Sequence, residues 1–129
     1  MLKEISDKLK ELQDEKPEIF GANATYGRVT NQEVPDIWNY IVYNRKGTKK
    51  SGSSNCDYTE YFEIHLVHED FVPENAVYEL IQTLTQIKGL KQSNDDIAYD
   101  YAIKNGSNVV AEMATVTFCR NVKGYKVIG

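Results

Sequence analysis

YTEYFEIHLVHEDFVPENAVYELIQTLTQI, residues Tyr58–Ile87, reads as a strand that turns through a proline into a helix. Tyr58, Phe62, Ile64 and Leu66 alternate with Thr59, Tyr61, Glu63, His65 and Glu69. A period of two in aromatic and branched side chains marks a half-buried antiparallel strand. Pro73 then ends the ladder, since proline lacks an amide hydrogen and its ring sets φ. Beyond it, Val77, Leu80, Ile81, Leu84 and Ile87 lie on one helical stripe. Asp70, Glu74 and Glu79 suit the positive end of that helix, and Gly89 suits its stop. The expectation is a helix over Glu74–Ile87 laid on the apolar face of a sheet.

Working outward, Leu2, Ile5, Leu9 and Leu12 predict an amphipathic helix over Leu2–Glu15, ended at Lys16-Pro17. Glu18–Val29 reads as a turn and a short edge strand weakened by Gly21 and Gly27. Thr30–Asp36 is a polar connection. Ile37–Asn44 is a strand with Trp38, Tyr40 and Val42 on one face and Ile37, Ile41 and Tyr43 on the other. Apolar residues on both faces imply a second cover, for which a neighbouring subunit is one candidate. Ile97–Ile103 and Val109–Cys119 form a hairpin around Asn105-Gly106, a pair that tolerates the positive φ of a type I′ turn. In the last strand Ala114, Val116 and Phe118 oppose Met113, Thr115 and Thr117.

Between the two central strands lies RKGTKKSGSSNCD, Arg45–Asp57, whose sole apolar residue is Cys56. It reads as a mobile basic hairpin loop, too polar to pack a core and overlong for a plain connection. The pattern is therefore α+β: a mostly antiparallel sheet of about five strands with two helices on one face, in the order α-β-β-β-α-β-β. At 129 residues the chain is expected to form one domain, 1–129.

An apolar fraction of 41% and a charged fraction of 26% are ordinary for a soluble protein. No apolar run is long enough for a bilayer, and no secretion leader opens the chain. Cys56 and Cys119 lack CxxC spacing and read as free thiols of a cytosolic chain. The net charge of −4 disfavours a dedicated nucleic-acid binder, but the charge is split. Arg45, Lys46, Lys49 and Lys50 crowd one segment, whereas Asp57, Glu60, Glu63, Glu69, Asp70 and Glu74 occupy a stretch without Lys or Arg. The bases are the candidate interaction residues and the acids their candidate partner surface.

Catalytic and cofactor motifs do not occur. His65 and His68, three apart in a strand, face opposite sides and cannot chelate one ion. Glu63 and His65 share a face and read as an exposed strand pair rather than an acid–base couple. Asp95-Asp96 lacks calcium-loop spacing. No cofactor, no metal and no enzymatic activity are expected.

The element order, the basic Gly/Ser-rich stretch at Arg45–Asn55, the FEIHLVHEDF strand exit and the NGSNVVAEMATVTFCR hairpin end together resemble the tail-terminator and tail-completion (head-to-tail joining) proteins of long-tailed bacteriophages. The resemblance spans nearly the whole chain and rests on a pattern rather than a sharp motif. It implies a structural virion protein that closes into a hexameric ring, caps the tail tube and meets the head connector. It also implies assembly in the host cytoplasm, residence at the head–tail interface, and Arg45, Lys46, Lys49 and Lys50 near a neighbouring subunit or the DNA in the lumen. A head-completion or connector-stopper role is the nearest alternative. A small nucleic-acid-binding domain, with Tyr26, Trp38 and Tyr61 stacking on bases, is a more distant one.

Overall fold

The computed structural model describes residues 1–27, 38–50, 57–104 and 106–123. Over these it forms α1 (Leu2–Glu15), α2 (Pro17–Phe20), β1 (Ala24–Tyr26), β2 (Asn39–Lys50), β3 (Tyr58–Glu69), α3 (Ala76–Leu84), β4 (Lys91–Gln92), β5 (Ala98–Ile103) and β6 (Val110–Val122). The protein is α+β, and the strands make one six-stranded sheet in the order β1-β2-β3-β6-β4, with β5 also paired to β6.

The alternation in β3 works as read. Phe62, Ile64 and Leu66 lie opposite Phe118, Val116 and Ala114 of β6, and Leu66 and Ile64 lie opposite Ile41 and Tyr43 of β2. All eight are buried on one face. The stripes of α1 (Ile5, Leu9, Leu12) and α3 (Val77, Leu80, Leu84) close over that face, joined by Phe20 from α2. Each such side chain, fully withdrawn from water, contributes about 1.5–3 kcal/mol. Lys16 bonds Glu79 at 2.8 Å and Lys8 bonds Gln86 at 3.1 Å, tying the two long helices together along their outer rims.

Several expectations need correction. The sheet is mixed, because β1 pairs parallel to β2 with Ala24 beside Ile41. Period-two patterning carries no strand direction, and β1 is only three residues long. The short helix α2 and the two-residue β4 are additional elements, too brief to leave a periodic signal. α3 spans Ala76–Leu84 rather than Glu74–Ile87. Beyond Thr85 the ladder tightens into i→i−3 turns, the Gln86 N–H donating to the Thr83 carbonyl at 3.2 Å and the Ile87 N–H to the Leu84 carbonyl at 3.1 Å. Ile87 is nevertheless buried, carried inward by the turn after the helix.

The basic loop also changes character. Arg45–Lys50 are strand, and all but Lys46 pair with a residue of Tyr58–Phe62. Backbone pairing does not require apolar side chains, and the aromatic-rich start of β3 is a strong template for it. Residues 51–56, including Cys56, lie outside the described residues, as does Ile37. The hairpin between β5 and β6 is present, but its ladder closes with the Lys104 N–H donating to the Val109 carbonyl at 2.9 Å. Its loop is therefore longer than the two residues that a type I′ turn would leave. Gly106 has the expected positive φ of 74°, and Asn105 lies outside the described residues.

Candidate interaction surface

Both long helices occupy one side, and among the described residues no helix covers the opposite sheet face, called here the open face, whose middle is polar. His65, Asn44, Glu63 and Thr115 stand side by side on β3, β2 and β6. The Asn44 amide nitrogen donates to Glu63 Oε1 at 3.1 Å and to the Arg45 carbonyl at 3.1 Å. Its oxygen is thus the acceptor for His65 Nε2 at 2.7 Å, and His65 Nδ1 accepts from the Thr115 hydroxyl at 2.8 Å. Burial holds the imidazole below its ordinary pKa, and the Glu63 carboxylate pulls weakly the other way from 3.9 Å. The pair is half-buried and woven into three strands rather than exposed. Both ring nitrogens are engaged within the chain, so the cluster works as a clasp across the sheet.

The four predicted bases do not act alike. A bulge between Arg45 and Gly47 leaves Lys46 without an opposite residue on β3. Lys46 reaches Asp95, 2.9 Å away, which raises the lysine pKa and lowers that of the carboxylate. This bridge borders a polar cleft of about 600 Å³ that includes Thr59, Tyr61, Lys91 and Asn121. Arg45 lies opposite Phe62 on the helix side of the strand, and Lys49 lies opposite Thr59 on the open side. Both are exposed, and neither joins an ion pair among the described residues. Lys50, opposite Tyr58, is exposed at the end of β2.

The six acids are dispersed rather than gathered. Glu60 holds Arg120 across β3 and β6 at 2.9 Å, and Glu63 belongs to the His65 cluster. Glu69 accepts from Lys104 at 2.8 Å and from the Trp38 N–H at 3.0 Å, and the lysine bond holds its pKa below the usual range. Asp57 is half-buried at the start of β3. Asp70 and Glu74 are exposed at the opposite end of that strand. Asp70 turns the chain there with a φ of 66°, its N–H donating to the Val110 carbonyl at 2.7 Å.

Among the described residues no group of three or more His, Cys, Asp or Glu is placed to hold a metal ion, and no helix is long and apolar enough to cross a membrane. Cys119 is a free, buried thiol.

No protein-family model matches this chain. The curated proteins likewise contain no match.

Sequence reasoning missed Asp95 as the partner of Lys46 and Asn44 and Thr115 as partners of His65. Lys46 and Asp95 are 49 positions apart, and no local pattern links them. The period-two reading does put Asn44 on the open face and Thr115 away from the core, so their polarity was the one available signal.

Proposed function

We propose that this chain is a non-enzymatic structural protein of a long-tailed phage virion, which caps the tail tube and joins tail to head as a ring. The observation that carries the reading is the one-sided fold. Both long helices are spent on a single sheet face, and the far end of the β2–β3 hairpin presents Arg45 and Lys49 to solvent. A subunit with a sheet face that no helix covers among the described residues, and a charged projection at one end, has two unlike surfaces, and unlike surfaces produce head-to-tail contacts that can close into a ring. The tail-tube and head-connector proteins are the further partners of this reading. DNA passing through the lumen would meet the exposed cations as a screened, salt-sensitive contact.

The test is electron microscopy of particles made without this protein. Overlong, still-polymerising tubes support a terminator. Tails of normal length that fail to join heads support a completion role. Normal infectious particles would dismiss the reading altogether.

A further inference from the structure

The open face holds a second feature, at the start of β2. Trp38 and Tyr40 stand edge to face, with ring centroids 6.4 Å apart and planes at 67°. With Val67, Ala111, Met113 and Asp100 they line a pocket of about 140 Å³. At about 30 Å³ for each water-sized group, it accommodates on the order of five heavy atoms. The floor is apolar, two walls are aromatic, and the rim carries an exposed carboxylate. Asp100 Oδ1 accepts from the Tyr101 N–H at 2.9 Å, and among the described residues no cation forms an ion pair with Asp100. An alkyl stem against apolar side chains, an ammonium over aromatic faces and a nearby carboxylate are together the recognition chemistry of a lysine.

We propose that this pocket receives a lysine side chain from a second copy of the chain, and that the lysine is Lys49. The bulge in β2 sets the face on which Lys49 stands. Trp38 and Tyr40 lie on the open face, and an unbroken strand would turn Lys49, eleven positions beyond Trp38, to the helix side. The shift between Arg45 and Gly47 reverses that parity, so Lys49 pairs with Thr59 on the same face as Trp38 and Tyr40. At about 3.3 Å per residue, Lys49 sits on the order of 35 Å from the pocket in its own subunit, too far to fill it. Lys49, exposed and in no ion pair among the described residues, can then complement Asp100 only from another copy. The contact is head to tail by construction. This inference rests on the ring-forming reading and assigns it a specific contact.

Trp38 is the only tryptophan, so its emission reports the pocket directly. The experiment follows sedimentation and Trp38 emission of the full chain together against concentration at low salt. Association should shift the emission, and Lys49→Glu and Asp100→Lys should each weaken it roughly tenfold or more. Lys49→Arg should retain it. An equimolar mixture of Lys49→Glu and Asp100→Lys chains should recover assembly, because every contact then pairs opposite charges. Association that survives both single reversals, or leaves the emission unmoved, overturns the assignment while leaving ring formation intact. A chain that stays monomeric while N-acetyl-lysine amide perturbs Trp38 overturns the second copy as occupant. Tail morphology still decides the broader reading in each case.

Discussion

Gly21→Ala is the substitution whose cost the structure specifies most closely. Gly21 ends α2 with φ 76° and ψ −175°, a backbone region open in practice to glycine alone. A side chain there costs about 1–3 kcal/mol in strain. The position is also crowded: an added Cβ would sit 2.1 Å from the Asn39 carbonyl oxygen and 3.2 Å from the Tyr40 Cα. These are backbone atoms of β2, which cannot swing aside as a flexible side chain can, so the strand must shift away from α2. Forcing atoms into a filled site costs roughly another 1–3 kcal/mol, giving about 4 kcal/mol together. Gly89→Ala is the matched control, since Gly89 has φ 87° but nothing within 4 Å of its added Cβ. Strain alone, about 1–2 kcal/mol, should act there. In urea denaturation with a slope near 2 kcal/mol/M, the midpoint should fall by about 2 M for Gly21→Ala and by under about 1 M for the control. Equal shifts for the two variants would refute the close approach of Gly21 to β2.

Three further outcomes follow from the packing and the polar contacts. Phe118→Ala removes a fully buried ring that lies opposite Phe62, and calorimetry should show a loss of about 3–5 kcal/mol. His65 has its folded-state pKa depressed, so the unfolded chain binds the extra proton first as pH falls through about 6.5. The stability the clasp contributes is present above that pH and is lost on acidification. His65→Gln should flatten the fall in melting temperature between about pH 7 and 5, and an equally steep fall in the variant would count against the clasp. Glu69→Ala releases both the Trp38 N–H and Lys104, so hydrogen exchange at the Trp38 amide should quicken while amides in the middle of β3 stay protected.

The elements differ in how much a one-dimensional reading could reach. β3, β6 and the stripes of α1 and α3 were legible because a half-buried strand repeats every two residues and a half-buried helix every three or four, whatever they pack against. β1 and β4 are three and two residues long and have no period to read. The basic run at Arg45–Lys50 was misjudged for a related reason. Composition speaks to whether side chains can be buried, whereas strand formation there is supplied by hydrogen bonds to Tyr58–Phe62.

The linear order of residues was sufficient for the layers. It says which sides of the strands and helices shun water, and mutual burial of those sides leaves little choice of architecture. It was also sufficient for the split between bases and acids. Only the folded chain decided what each charge does. Lys46 is captured by Asp95 from a distant loop, Glu60 by Arg120, and Glu69 by Lys104, while a single inserted residue in β2 turns Lys49 to the open face. Pairing and parity are properties of neighbouring strands, and a charge's environment is set by residues dozens of positions away.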